Sequence, residues 1–488
     1  MKIPSNRYLL SLHPIKTNLK LYDDPLDRSM QQNAVGYFSI TLFYFTIKSN
    51  KNIEKHPLPP GPKPWPIVGC LPTMLRNKSV PRWIHNLMKE MNTEIACIRL
   101  GNVHVIPVTC PDIACEFLKA KDDIFASRPN IMSAKIVSRD YLTTVLTPIG
   151  DQWTKMKKVL MTQVLSSAGH HWLYRKRVEE ADHLVHYVYN QCKKVVDQEG
   201  IINLRMATQH YCANLVRKMM FNVRFLGEGM EDGGPGFEEE RHVEAIFTIL
   251  NHLFSFCVSD FLPSLVGFDL DGHERVMKES HGIINKYHDP IIDQRVQQWK
   301  DGTKKDVEDL LDVLITLKDD NGNPLLSKDE IKAQTTACAR EAFRLHPISP
   351  FNVPHVSVVD TTVANYFIPK GSYVLLSRQG LGSNPKIWDE PLKFKPERHL
   401  SGTNNVVLTE NNLRFISFST GKRGCKGVTL GTSMTIMLFA RLLQGFTWSL
   451  PPDQSCIDLT IAEDSMALAK PLLALAKPRL PPHLYPGC

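Results

Sequence analysis

Apolar residues in this chain gather into runs of three kinds. The stretch Asn33 to Ile47 is mostly apolar and aromatic (Ala34-Val-Gly-Tyr-Phe-Ser-Ile-Thr-Leu-Phe-Tyr-Phe-Thr-Ile47), and Lys48, Lys51 and Lys55 follow it. After the proline segment His56-Pro57-Leu58-Pro59-Pro60-Gly61-Pro62 come two short β-like runs, Ile95 to Leu100 and Val103 to Val108. Beyond them the pattern turns helical. An amphipathic segment beginning near Gly150 sets Trp153 and Lys157 on one face at i, i+4. Leu326 to Gln334 reads as a helix start, and Glu341-Ala-Phe-Arg344 lies in a helical stretch that ends at Leu345-His346-Pro347. An apolar helix is predicted from Val428 to Phe446.

The 33–55 segment reads as a membrane anchor with a basic stop, but its apolar run, Asn33 to Ile47, is short for a span, which needs about 20 apolar residues. Its trailing lysines fit a positive-inside stop that leaves the rest of the chain in the cytosol. A buried or interfacial segment fits the length equally well. Residues 1–32 are polar and mixed in charge, unlike a cleaved secretory signal. The prolines after Lys55 predict a stiff linker.

Composition narrows the classes. The 488 residues, 43% hydrophobic, can build one large core. A net charge of +8 suits anionic lipid or an acidic partner. Nucleic acid comes last, because the basic residues are scattered and no nucleic-acid motif accompanies them. Eleven cysteines without a CxxC pair indicate neither a zinc site nor a disulfide framework, which agrees with a reducing compartment. The glycine-rich stretch Gly227 to Gly236 follows no clear strand and opens no apolar helix, so it reads as a solvated loop rather than a phosphate cradle.

One run carries the chemistry: Phe418-Ser-Thr-Gly421-Lys-Arg423-Gly-Cys425-Lys-Gly427, directly before the apolar helix. A cysteine so placed can be held as a thiolate by backbone N–H donors and the positive helix end. A buried free cysteine in a Gly-rich turn would not need an aromatic, two glycines and an arginine at fixed offsets.

The run resembles the haem-binding loop of the cytochrome P-450 superfamily, the haem-thiolate monooxygenases. The resemblance implies a mainly α fold with small β-sheets (α+β) over residues 56–488. It also implies haem b (iron protoporphyrin IX) as cofactor, with Cys425 as its proximal ligand, whose sulfur donates density that favours O–O cleavage. It sets Phe418 beside the sulfur, Gly421 and Gly427 at tight turns, and Arg423 on a haem propionate. Trp153 and Lys157 match a propionate-binding Trp-x-x-x-Arg pattern, with lysine keeping the charge but losing the bidentate fork. Glu341 and Arg344, with Arg398 in Phe394-Lys-Pro396-Glu397-Arg398-His399, would form a buried charge network that holds the loop. Removing one member of such a network costs about 3–5 kcal/mol. Pro350-Phe-Asn-Val-Pro-His355 reads as a helix-to-strand turn. The resemblance adds His355 as a propionate contact and Phe351, Asn352 and Val353 as pocket lining, along with Ile131 to Val145 and the loop from Met466.

Within the superfamily, Phe415 to Cys425, Pro350 to His355, Pro396 to His399 and Lys470-Pro-Leu-Leu-Ala-Leu-Ala-Lys-Pro-Arg-Leu-Pro resemble the plant amino-acid N-monooxygenases. Those enzymes convert an amino acid to an aldoxime by hydroxylating its α-amine twice. This implies an amino-acid substrate, an NADPH-dependent flavoprotein reductase as electron source, and an endoplasmic reticulum anchor with the catalytic domain in the cytosol. Lys422, Arg423 and Lys426 would suit an acidic reductase surface.

Near 335–337 the predicted helix start runs straight into the Glu341 helix. A complete member has a long distal, oxygen-binding helix between these points, so the sequence predicts a deletion there. No catalytic proton-relay residue is identified, and a general-acid path to bound dioxygen is expected to be lacking. Two alternatives to the monooxygenase arise: a haem-binding remnant without turnover, and a haem-free membrane-attached interaction protein.

Overall fold

β-branched residues in Val103-His-Val-Ile-Pro-Val108 build a strand buried over its second half. The structure, a computed structural model, describes residues 56–159, 161, 170–171, 173–193, 200–301, 349–399, 413, 416–452, 454–460, 462 and 468–486, apart from the side chains of 159, 292–300, 396 and 397. The chain divides into Met1–Lys55 and His56–Cys488, and every described residue belongs to the second unit.

Strand β1 (Ile98–Leu100) folds back on β2 (Val103–Val108) with Leu100 opposite Val103. The reversal requires Gly101, where φ is +53° and a Cβ would stand 2.2 Å from the Phe261 carbonyl oxygen. β2 pairs in parallel with β7 (Tyr373–Leu376), which pairs antiparallel with β4 (His355–Val356), giving the order β1-β2-β7-β4. β5 (Thr361–Val363) and β6 (Tyr366–Ile368) form a hairpin through Ala364 and Asn365, both at positive φ as a type I′ turn demands. A third sheet sets β9 (Leu473–Pro478) between β3 (Ile201–Asn203) and β8 (Phe446–Ser449).

Most of the remaining described elements are helical, the longest being Tyr174–Lys193, Leu204–Phe221, Phe237–His252, His273–Lys300 and Val428–Gly445. The fold is mainly α with small β-sheets, as expected. The last of these helices ends one residue before the predicted Phe446, which turns extended and begins β8. Phe446 is buried there between Tyr485 and Trp448, 5.6 and 5.9 Å away between ring centres. That core joins the 174–193, 204–221 and 428–445 helices to the third sheet. A second core lies under β2 and β7 and includes Phe117, Leu118, Phe125 and Ile416. Phe117 and Phe125 meet edge to face at 4.7 Å, and each fully buried ring contributes about 1.5–3 kcal/mol. This core sets the segment before Cys425 against the 117–125 region.

Two expectations change. The proline segment is not a free linker: the Pro57 carbonyl accepts from Phe367 N–H at 2.8 Å and that of Pro60 from Cys97 N–H at 2.9 Å. Prolines lack a donor but keep an acceptor, so the segment can be laid along strands. The glycine-rich stretch does open a helix, with Gly236 at the N-cap of Phe237–His252. Glu238, Glu239 and Glu240 fill the first turn, which argues against a phosphate site.

Glu341, Arg344, Met466, the 33–55 segment and the junction at 335–337 lie outside the described residues. Among the described residues no helix is long and apolar enough to cross a membrane.

Candidate functional site

The Cys425 loop is shaped by its backbone. Gly421 has φ +71°, and a Cβ there would stand 2.5 Å from the Leu118 carbonyl oxygen. A short 3-10 turn, Gly421–Arg423, is closed by Gly424 N–H donating to the Gly421 oxygen at 3.1 Å. Cys425 N–H then donates to the Phe418 carbonyl at 2.8 Å. The loop docks through Lys422 N–H, which donates to Asp122 Oδ2 at 2.7 Å, while Lys422 Nζ pairs with Asp123. Cys425 is exposed at the start of the 428–445 helix. Gly427 departs from expectation. Its φ is −85°, and a Cβ there would meet Cys425 Sγ at 3.9 Å, an ordinary contact, so the backbone does not demand glycine.

Arg423 also departs from one of its two expected roles. It is turned inward, 8% exposed, and so is not presented to a docking partner. Its Nε donates to the Ala126 carbonyl at 2.7 Å, Nη2 to Thr147 at 2.7 Å and Nη1 to Thr144 at 3.2 Å. The guanidinium carbon lies 4.7 Å from the centre of the Trp153 ring, and Lys157 Nζ lies 4.6 Å from that same ring. Trp153 and Lys157 belong to the helix Asp151–Val159, close to the predicted start.

Sequence reasoning missed Arg128. Its Nη1 donates to the carbonyls of Pro354 at 2.8 Å and Val353 at 3.1 Å, and its Nε to Val145 at 3.3 Å. Burial, with Arg423 nearby, pushes the Arg128 pKa down to about 9. Burial lowers that of Arg423 to about 10, against support from Asp122. Two buried cations that share a neighbourhood, with Asp122 supporting only Arg423, leave charge to be balanced. The available signal was position: Arg128 sits in Phe125-Ala-Ser-Arg-Pro129 among residues that fold inward.

His355 completes the cluster. It is 1% exposed, and its Nδ1 is 2.7 Å from the Phe125 carbonyl, which can only accept, so Nδ1 carries the proton. Nε2 is buried with no partner among the described residues. Burial, then the charge of Arg128, holds the imidazole well below its usual pKa. Arg128, Arg423 and His355 thus converge around carbonyls 125–126 and 353–354. The cluster fits a ligand that brings its own carboxylates, such as a porphyrin with propionates, while Cys425 offers an accessible sulfur. Arg378, also unpredicted, has a buried Nε without a partner among the described residues. Burial lowers its pKa, and the Cys425 sulfur opposes that fall.

Arg398 donates to the carbonyls of Asp389 at 2.8 Å, Lys393 at 3.3 Å and Glu390 at 3.4 Å, and lies 5.9 Å from the Trp388 ring. Its expected partners Glu341 and Arg344 lie outside the described residues. Phe351 stacks on His85 at 5.2 Å, and with Asn352 and Ile131 it lines a cavity. Val353 is not in that wall and instead gives its carbonyl to Arg128.

The cytochrome P450 family profile matches residues 59–337 and 334–476. Phenylalanine N-monooxygenase CYP79D16 of Prunus mume is 53% identical over 501 positions, covering 90% of this chain and 94% of that protein. Isoleucine N-monooxygenase 1 of Lotus japonicus is 53% identical over 506 positions, covering 92% and 94%. Tyrosine N-monooxygenase of Sorghum bicolor is 48% identical over 489 positions, covering 88% of each. With a profile match over most of its length, and with the cysteine loop and the buried cations set as described, the chain belongs to the cytochrome P450 family.

Proposed function

We propose that this protein is an amino-acid N-monooxygenase that converts an amino acid to its aldoxime. One observation carries the reading: relatives named for phenylalanine, isoleucine, tryptophan, tyrosine and valine all align over about nine-tenths of the chain at 48–53% identity.

Haem is the family's cofactor, and the residues present suit it. Cys425 would bind the iron, and Arg128 and Arg423 would meet the propionates, joined by His355 once a propionate's charge draws a proton onto its Nε2, with Trp153 and Lys157 beside them. When bound, thiolate-ligated haem supplies the iron centre at which dioxygen is activated. The protein's own part is to balance the propionate charge and to fix the sulfur-bearing loop through the Phe418–Cys425 hydrogen bond. Electrons come from NADPH through a flavoprotein reductase, with Lys422 and Lys426, but not Arg423, on the docking face. The protein is held at the endoplasmic reticulum membrane by residues 33–55, with the catalytic domain in the cytosol.

A second reading, a haem-binding remnant without turnover, is favoured by a separate observation. The two family segments meet at 334–337. The 501-position alignment with the Prunus enzyme also uses 90% of a 488-residue chain, about 440 residues. Both facts support a deletion at the distal helix.

Purified full-length protein separates the readings. A reduced, carbon monoxide-bound spectrum with a thiolate-type Soret band, plus NADPH- and reductase-dependent aldoxime from one of the five amino acids, supports the enzyme. The band without aldoxime supports the remnant, and no haem absorbance refutes both. Cys425→Ala is expected to abolish the thiolate band.

A further inference from the structure

Between strands β2 and β7 and the connection after the 237–252 helix lies a cavity whose lining includes five aromatic residues, Phe254, Phe256, Phe261, Phe351 and Tyr373. Asn352 and Asp260 also line it, and each leaves hydrogen-bonding or charge capacity unused.

Asn352 is 3% exposed, and its Oδ1 accepts from Leu376 N–H at 2.7 Å. A backbone N–H can only donate, so the amide oxygen is fixed there and the nitrogen is left over. Among the described residues that buried Nδ2 has no partner, and buried donors are rarely left unpaired. Asp260 Oδ1 accepts from Met132 N–H at 2.7 Å, tying the carboxylate to the start of the helix Met132–Val137. Asp260 makes no ion pair among the described residues. Burial raises its pKa to about 6, so it is mostly ionised at neutral pH.

A donor and an unpaired carboxylate in an aromatic cavity match a zwitterion with an apolar side chain. We propose that this cavity selects the substrate amino acid, with Asp260 receiving the α-ammonium, Asn352 Nδ2 donating to the α-carboxylate, and the aromatic walls taking the side chain. The proposal rests on the amino-acid reading above. Aromatic faces also attract an ammonium directly. An ammonium held by a carboxylate has no free lone pair, so the cavity acts ahead of the oxidation and does not hold the amine for reaction.

The test uses the full-length, haem-loaded protein in isothermal titration calorimetry. The probes are whichever of phenylalanine, isoleucine, tryptophan, tyrosine and valine binds most tightly, together with its deaminated and decarboxylated analogues. For L-phenylalanine these are 3-phenylpropionate and 2-phenylethylamine. Asp260→Asn keeps an acceptor for Met132, and Asn352→Asp keeps one for Leu376, so thermal midpoints should confirm that both variants fold. Asp260→Asn is expected to weaken the amino acid and the amine about tenfold or more while sparing the acid. Asn352→Asp should weaken the amino acid and the acid by a similar factor while sparing the amine. Equal binding by variants and wild type, or equal loss of all three probes, overturns the assignment and leaves the amino-acid reading standing. Wild type that binds none of the five amino acids defeats that reading and the assignment together.

Discussion

The Arg423 guanidinium rests 4.7 Å above the Trp153 indole, joining the loop that carries Cys425 to the helix Asp151–Val159. The same guanidinium commits its hydrogen bonds to three carbonyls of the 126–147 region. One side chain therefore orders the sulfur loop against the segment between Phe125 and Trp153.

Arg423→Lys keeps a charge but cannot reach three carbonyls at once. We expect a stability loss of about 2 kcal/mol and weaker haem retention, read by urea unfolding and by haem transfer to apomyoglobin. Trp153→Phe should cost less, about 1 kcal/mol, because a ring remains under the cation. A larger loss for Trp153→Phe than for Arg423→Lys would reverse this ranking.

The two loop glycines should behave differently. Gly421→Ala places a Cβ at positive φ against the Leu118 carbonyl, which predicts a loss of about 1–3 kcal/mol and reduced haem content. Gly427→Ala meets only an ordinary contact and should change stability by less than about 1 kcal/mol. Thermal melts of both variants check the contrast.

Acid should destabilise the protein through buried imidazoles. His242 Nδ1 is 3.1 Å from Arg217 Nη2, which can only donate, so His242 carries its proton on Nε2 and donates it to His288 Nε2 at 2.9 Å. Burial, then the charges of Arg217 and His288, lowers the His242 pKa to about 4. Burial lowers that of His288 as well, although Asp289 opposes the shift. The unfolded chain binds these protons more readily, so stability falls as pH drops below the ordinary histidine value near 6.5 and levels off near 4. The loss from His242 is about 3 kcal/mol. Urea midpoints measured between neutral pH and pH 4 should follow this fall, and His242→Gln should flatten it.

Arg217 and Glu239 form a buried two-pronged pair at 2.7 and 2.8 Å, linking the 204–221 and 237–252 helices. Glu239→Ala would strand the guanidinium and cost about 3–5 kcal/mol by urea unfolding. Changing both residues to apolar ones of similar volume should restore much of that loss, since the pair bears its own desolvation cost.

The sequence by itself determined what depends on local spacing. The β-like runs, the helix after Cys425, the amphipathic Trp153 segment and the glycine-punctuated loop come from periodicity and turn chemistry, which act over a few residues. The resemblance of the 418–427 loop and of the Pro350 to His355 segment to one superfamily also links Cys425, Arg423 and His355. Only the tertiary structure decided which way charges face. The sequence offers Arg423 as both a propionate contact and a docking residue, and burial leaves only the inward role. Arg128 lies 295 positions before Arg423, and no local pattern could announce that both guanidiniums would share one buried neighbourhood. The proline segment looked like a linker because proline removes donors, yet its carbonyls found partners on β6 and beside β1. Gly421 and Gly427 look alike in sequence and differ in φ, because the Leu118 carbonyl crowds only the first. Burial and long-range contact set these outcomes, and both depend on what the rest of the chain brings close.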